Sequence, residues 1–389
     1  MALVQRKFVM SAILSRFARA YSTPVQEKDI KKSVFISQSK DIFTNLALED
    51  WLYRNFDFTN HHVLMLWQND PCVVIGRHQN PWLEANVPSL SSITEQGVPL
   101  ARRNSGGGTV FHDQGNLNMT FFTSRNHYNR KYNLEVITRA LFREYGLKLQ
   151  ISPRDDLTLR NCKVSGTAAK LGCPSAYHHC TLLVNTNKVH LSEALQRLDV
   201  GIETNATKST KSKILNLCEE NPKIKVPALY KVMGWEYLRT HALSVKDGGM
   251  ELANQQKGFQ MVNPTEKWFP GIEEIRDNLQ GWEWRFGKTP KFTISRSFTV
   301  PEHLISQDVP DDLKVTMVVE GGKISDVNLY VPPGLVANGF SGNVNVITNL
   351  IGHKFSEEAL DNLEWSLGAL VNDKDKFVTD CVKQVMQSV

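Results

Sequence analysis

The sequence predicts a larger unit of mixed α/β character followed by a smaller α+β unit. Three observations carry that expectation. A chain of 389 residues suits two domains. From about residue 30 to 262, short apolar runs of strand type alternate with stretches of helical spacing. From residue 263 to 389 the texture changes: aromatic residues open the segment, strands gather next, and helical patterns close it.

The first 21 residues stand apart from both units. They are basic, rich in Ser and Ala, and free of Asp and Glu. Phe8, Val9, Ile13, Leu14 and Phe17 can share one helical face opposite Arg6, Lys7, Arg16 and Arg19. This is the transit-peptide pattern, so mitochondrial import is expected and the stretch is excluded from the fold. Arg19-Ala20-Tyr21-Ser22 resembles a matrix-protease site cut after Tyr21. Those four cations precede Glu27, the first acidic residue, and account for most of the net charge of +5. The body of the chain is close to charge balance, which gives no compositional case for nucleic acid. Hydrophobic content of 41% and charged content of 22% are ordinary for a soluble globular protein. No apolar run approaches the ~20 residues that span a bilayer.

In the first unit, Val34–Gln38 reads as a strand, and Asp41 caps a helix running to about Asn55. Val63–Trp67 and Cys72–Gly76 flank the turn Asn69-Asp70-Pro71 and are expected to pair. The polar run Arg77-His78-Gln79-Asn80-Pro81 suits either a site or a capped loop. A short helix is expected near Ser91–Gln96, stopped by Gly97. Pro99 to Arg103 then enters Asn104-Ser105-Gly106-Gly107-Gly108-Thr109. Glycine has no Cβ and accepts positive φ, so a ligand can lie against bare backbone there. Successive free N–H groups make a concave anion site, and Arg102 and Arg103 are expected to add charge-assisted hydrogen bonds. The run matches neither a P-loop nor a dinucleotide fingerprint. Leu117 to Phe122 follows as a strand, so the turn is expected to lie between two strands.

Asn133 is expected to cap a helix of about twelve residues that ends at Gly146, a left-handed stop. Leu147–Ile151 begins a strand, and Arg154-Asp155-Asp156 leads to a turn at Asn161. Lys163 precedes Val164-Ser165-Gly166-Thr167-Ala168, and the strand Tyr177–Asn185 comes next. A lysine held between core strands would be a fixed cation for a phosphate or a developing oxyanion. Residues 201–212 are polar and read as a long loop. Helices are expected at Ser212–Glu220 and Val226–Ala242, then a linker at Lys246–Gly258. In the second unit Lys291–Val300 is a strand, and Leu313–Glu320 with Lys323–Val331 forms a hairpin around Gly321-Gly322. Helical patterns follow at Asn343–Ile351, Ser356–Leu370 and Lys374–Gln387. The aromatic run Trp268, Phe269, Trp282, Trp284, Phe286 reads as packing.

Six cysteines include no Cys-x-x-Cys and no zinc spacing. His178 and His179, adjacent on a strand, point to opposite faces and cannot readily share an ion.

The run Arg102 to Asn118, together with Lys163-Val-Ser-Gly-Thr-Ala and His178-His-Cys-Thr-Leu-Leu, resembles the signature of the lipoate–protein ligase A family. Asn45-Leu-Ala-Leu-Glu-Asp50 and Val74 to Asn80 are similar to its earlier blocks. The resemblance covers about residues 33–245, and with the leader it looks like the animal mitochondrial lipoyltransferase branch. It implies an α/β catalytic domain of the biotin/lipoate protein ligase type over 30–262, with a C-terminal α+β accessory domain over 263–389. It implies an acyltransferase of the mitochondrial matrix, moving a lipoyl group to the lysine of lipoyl domains of 2-oxoacid dehydrogenase E2 subunits. Lipoyl-AMP is the implied bound donor, with the glycine-cleavage H protein as another source of the group; no metal is expected for transfer, and a monomer is expected. By the same resemblance Arg103, Ser105, Gly106, Gly107 and Gly108 line the lipoyl tail and acyl phosphate. Phe111 stands where many members have Tyr, so an apolar wall remains without a hydroxyl. Lys163 matches the active-site lysine, and Arg154, Thr181, Thr210 and Ser212 match positions around the adenylate. Other readings stay open: a complete ATP-dependent ligase, an octanoyltransferase acting through Cys180, and a non-catalytic lipoyl-domain binder.

Overall fold

The computed structural model describes residues 30–196, 201–239, 258–305, 312–335, 340–345, 350–356, 359 and 372–387. The expected leader and most of the expected linker at 246–258 and helix at 356–370 lie outside the described residues.

The central sheet has the order β10 (Thr167–Leu171), β11 (Ser175–Leu183), β6 (Asn116–Ser124), β2 (His61–Trp67), β1 (Lys31–Ser37), β13 (Phe259–Val262). β1 is parallel to both its neighbours, and the other pairs are antiparallel. Both faces are covered, which is why β2 is one apolar run and does not alternate. Leu64 and Leu66 face the helices Arg130–Tyr145 and Val226–Arg239, among Leu134, Ile137, Leu229 and Met233. Val63, Met65 and Trp67 face the helices Ile42–Asn55 and Ile272–Gln280, among Phe43, Leu52 and Leu279. Each such fully buried side chain contributes about 1.5–3 kcal/mol.

Local signals place several elements as expected. The Asp41 carboxylate accepts from the Thr44 N–H at 2.7 Å, starting the helix at Ile42. Gly146, at φ 69°, ends the helix Arg130–Tyr145. That helix is capped by Asn129, whose side chain accepts from Tyr132 N at 3.0 Å; the cap expected at Asn133 is wrong. Arg130 to Tyr132 add a turn ahead of the apolar stripe, so the first buried position is not the first helical one.

The expected pairing of Val63–Trp67 with Cys72–Gly76 is also wrong. β3 (Cys72–Ile75) leaves the central sheet for a small one, between β4 (Leu100–Arg102) and β5 (Val110–His112). The buried Asn69 side chain accepts from Asn45 Nδ2 at 2.9 Å and reaches His112 Nδ1 at 2.9 Å, turning the chain away. The helix expected at Ser91–Gln96 is a 3-10 turn at Val87–Ser91 instead. The strand expected from Leu147 is short, β7 (Gln150–Ile151), and pairs with β8 (Leu157–Leu159). β8 in turn pairs with β9 (Cys162–Ser165). The helix expected from Ser212 begins only at Leu217, capped by the Asn216–Glu219 box.

A second sheet is antiparallel: β12 (Ile202–Thr204), β14 (Phe292–Thr299), β15 (Asp312–Glu320), β16 (Lys323–Val331), β17 (Gly342–Asn345). Gly321 and Gly322, at φ 57° and 71°, turn the β15–β16 hairpin. Met317, Val327, Val385 and Trp82 share its core with the helix Asp373–Gln387. The helix expected at Asn343 is a strand, because β16 offers a free ladder edge there and Val344 pairs with Leu329. Most of the aromatic run packs as expected, with the Phe269 ring 5.0 Å from Trp51 and Phe286 5.5 Å from Trp82, whereas Trp268 is exposed.

Candidate active site

The glycine turn joins β4 to β5, both of which flank β3. Gly107 has φ 92°, and its carbonyl approaches Gly76 so closely that a Cβ on Gly76 would lie 2.2 Å from the oxygen. Two glycines therefore pack backbone on backbone. Arg103 holds the turn in shape from beneath. Its Nη2 donates to Gly106 O at 2.6 Å and Gly108 O at 2.8 Å, Nη1 to Val74 O at 3.1 Å, and Nε to Ser105 Oγ at 3.1 Å. Burial lowers its pKa to about 10, with Tyr177 and Glu49 opposing the shift.

Arg102 is enclosed in the same way. It donates to the carbonyls of Arg77 (3.0 Å), Gln79 (2.8 Å), Trp284 (3.0 Å) and Arg285 (2.8 Å), and to Thr289 Oγ1 at 2.9 Å. The expectation that Arg102 reaches a ligand anion is therefore corrected, since it is fully buried with its donors spent inside the protein; Arg103 keeps a face on the glycine-lined cavity. A buried guanidinium must satisfy its N–H donors, and here backbone carbonyls take most of them, with the Thr289 and Ser105 hydroxyls taking the others recorded. What faces the cleft is the turn itself. Gly106, Gly107 and Gly108 line a cavity of about 540 Å³, and no acceptor for their N–H groups occurs among the described residues.

Lys163, on β9, borders this cavity and a second one of about 860 Å³. Its Nζ lies 2.9 Å from Asp156 Oδ1, with the two side chains 28% and 18% exposed. Its backbone is clamped by the following loop: Lys163 N donates to Lys213 O at 2.7 Å, and Leu215 N donates to Lys163 O at 3.1 Å. Gly166 leaves space beside the amine, since a Cβ there would lie 3.8 Å from Nζ. Its N–H donates to Thr181 Oγ1 at 3.1 Å.

The structure brings most of the expected residues together. Arg103, Arg154, Lys163, Thr181, Thr210 and Ser212 line the first cavity with the three glycines. Phe111 lines the second, beside Leu183, Leu191 and Ile214. Ser105 lines neither; it is buried and supports Arg103. On β11 the alternation separates two pairs. His179 and Thr181 face the cleft, whereas Cys180 packs in the core of the opposite face and donates weakly to Met119 O at 3.7 Å. Burial pushes the Cys180 thiol far up, so it has neither the access nor the ionisation of an acyl-accepting nucleophile.

A buried polar group beneath the turn was not anticipated. His179 Nδ1 lies 3.0 Å from Glu49 Oε2, which also accepts from Thr120 Oγ1 at 2.8 Å. Burial alone would raise the Glu49 pKa, but His179 and the hydrogen bonds outweigh it and hold the carboxyl below its usual value. His112 lines the first cavity and is pushed well below its ordinary pKa by burial, then by His179 and Arg103. One signal was available: Glu49 sits at helical spacing between Leu46 and Leu52, on the apolar stripe where a carboxylate needs a partner. Nothing in the sequence singled out Asp156 as the partner of Lys163.

The family model for the lipoyl protein ligase A/B catalytic domain matches residues 41–236. The chain is 40% identical over 333 residues to the human protein named lipoyl amidotransferase LIPT1, mitochondrial, covering 85% of this chain and 84% of that one. It is 33% identical over 304 residues to a lipoate-protein ligase A of Bdellovibrio bacteriovorus, covering 77% and 83%. Among solved structures, P. falciparum LipL1 in complex with lipoate superposes with a TM-score of 0.57 at 23% identity, covering 92% of this chain and 99% of that one. That likeness confirms the mixed α/β fold with its further C-terminal part.

Proposed function

The chain belongs to the lipoyl protein ligase A/B catalytic-domain family, and we propose that its cleft holds lipoyl-AMP and passes the lipoyl group to the lysine of a lipoyl domain. It is an acyltransferase acting on lipoyl groups. The observation that carries the specific reading is Lys163, which borders both cavities, the first shared with three glycines whose N–H groups have no acceptor among the described residues. An acyl-adenylate has that layout: a thin acyl tail, an anionic phosphate at its middle, and a nucleoside beyond.

In this reading Gly106–Gly108 carry the acyl phosphate against bare backbone, and Lys163 faces the reacting carbonyl and phosphate. The neutral acceptor amine attacks the acyl carbon, the amide C–N bond forms, the acyl C–O bond breaks with its electron pair leaving on the phosphate of AMP, and the amine's extra proton passes to solvent. Charge grows first on the carbonyl oxygen and then on AMP, and preorganised donors stabilise both. Arg154, Thr181, Thr210 and Ser212 surround the nucleotide side, with Phe111 as an apolar wall. The acceptors are lipoyl domains of 2-oxoacid dehydrogenase E2 subunits, and a lipoylated H protein is a second donor.

We place the protein in mitochondria, within the matrix, where its human and mouse relatives are named mitochondrial and the first 21 residues read as an import leader. It works as a monomer, with residues 30–262 as the catalytic unit and 263–389 as the accessory one. β12 crosses to the accessory sheet, and the helix Ile272–Gln280 crosses back onto the catalytic body.

The test offers the full protein three donors separately, with an apo lipoyl domain whose mass is followed: lipoyl-AMP, free lipoate with ATP, and lipoylated H protein. Transfer from lipoyl-AMP is expected. No transfer from it would overturn the reading, and robust use of lipoate with ATP would make the protein a complete ligase.

A further inference from the structure

Gln79, just after β3, is fully buried and touches neither cavity. Its side-chain amide makes four hydrogen bonds. Oε1 accepts from Gly76 N at 2.8 Å and from Thr109 Oγ1 at 2.9 Å. Nε2 donates to Ser209 Oγ at 2.9 Å and to Thr207 O at 3.4 Å. Partners of fixed polarity, the Gly76 N–H and the Thr207 carbonyl, set which end of the amide is oxygen. Ser209 is gripped further: its Oγ accepts from Thr109 N at 2.8 Å, and its N–H donates to Glu84 Oε1 at 3.0 Å. The contact is close, for a Cβ on Gly108 would lie 3.1 Å from Ser209 Oγ.

Besides these bonds, segment 205–212 is held by Thr207 N, which donates to His78 O at 3.1 Å, and by Ala206 N, which donates to Thr204 Oγ1 at 3.2 Å. Ala206 is its single buried residue, and its ends belong to other elements: β12 pairs with β14, and Lys213 O accepts from Lys163 N. A polar loop whose one buried apolar residue is Ala206 keeps its place mainly through hydrogen bonds, and Gln79 ties its middle to the glycine wall. Thr210 and Ser212, which line both cavities, follow directly.

We propose that Gln79 is a positioning residue for lipoyl transfer: its amide locks segment 205–212 onto the glycine turn, so that the donor enters a preformed pocket beside Lys163. The proposal rests on the reading of the cleft as the lipoyl-AMP site. An unlocked loop would have to be ordered by the donor itself, which raises KM for lipoyl-AMP more than it lowers kcat.

The experiment compares the full protein with Gln79→Glu, Ser209→Ala and the double variant. Gln79→Glu keeps shape and one acceptor, and sets a carboxylate oxygen against Thr207 O. The expected result is a rise of about tenfold in KM for lipoyl-AMP with kcat within about twofold, the scale of one broken buried pair. Trypsin should cut after Lys208 and Lys211 several-fold faster while the melting temperature stays close to that of the parent. Ser209→Ala, in an exposed-sided loop, gives the same pattern if Gln79→Glu fails to fold. The two changes should be far from additive, since they break one bracket. Unchanged KM and unchanged cleavage, a change in melting temperature alone, or additive effects would each overturn the proposal. If the parent transfers nothing from lipoyl-AMP, the cleft reading fails, and the trypsin comparison still decides whether Gln79 holds the loop.

Discussion

Replacing Lys163 with Met is expected to preserve the fold and remove transfer. The ion pair with Asp156 is 2.9 Å long but partly exposed on both sides, at 28% and 18%. Screened by solvent, such a pair contributes less than about 1 kcal/mol to stability. The backbone bonds to Lys213 and Leu215, at 2.7 and 3.1 Å, survive the change. On the proposed reading the loss in the transition state is larger, because the amine would face charge that develops only during reaction. Removing one preorganised donor of this type costs ~3–4 kcal/mol, or roughly 10²–10³-fold in rate. The assay is a single turnover from preformed lipoyl-AMP to an apo lipoyl domain, followed by mass, with a thermal melt in parallel. A rate within about threefold of the parent, on a folded variant, would refute the assignment of Lys163 to transition-state stabilisation. Asp156→Asn frees the amine without removing it and should cost less, about tenfold.

Gly76→Ala drives a Cβ against Gly107 O, and overpacking of this kind costs about 1–3 kcal/mol; both melting temperature and transfer should fall, and full stability would contradict the packed-backbone account. Arg102→Met strands the carbonyls of Gln79, Trp284 and Arg285, so urea unfolding should report a loss of roughly 3 kcal/mol. Acid should destabilise the fold through two buried histidines. Burial, then Arg130 and His179, lowers the pKa of His178 to about 3, and burial pushes His112 well down. Both stay neutral when folded, while the unfolded chain takes up protons near pH 6.5. Their contribution is complete above that pH and is lost as pH falls toward about 3. From pH 7 to pH 5 the two together should cost about 4 kcal/mol, and an unchanged urea midpoint at pH 5 would sink the argument.

Some of the site was legible before any coordinates. The glycine wall and Lys163 stand out as local strings, and the helix from Ile42 and the stop at Gly146 follow from their caps. The alternation of β11 separated His178 from His179. These features are legible because periodicity, capping and positive φ are properties of neighbouring residues. The pairing of β3 was not legible, since it turns on Asn69 meeting Asn45 and His112, which lie 24 and 43 positions away. The role of Arg102 was misread for the same reason. Charge suggested a ligand, but the carbonyls that absorb Arg102 come from Trp284 and Arg285, on the far side of the chain. The sequence by itself determined the main helices and strands of the catalytic body and which residues could do chemistry at the wall and at Lys163. Only the tertiary structure decided that the arginines build the wall, that Asp156 holds Lys163, and that residues of segment 205–212 line the same cavities. A buried donor takes whatever acceptor the packed fold brings within about 3 Å, and that distance is not written in sequence order.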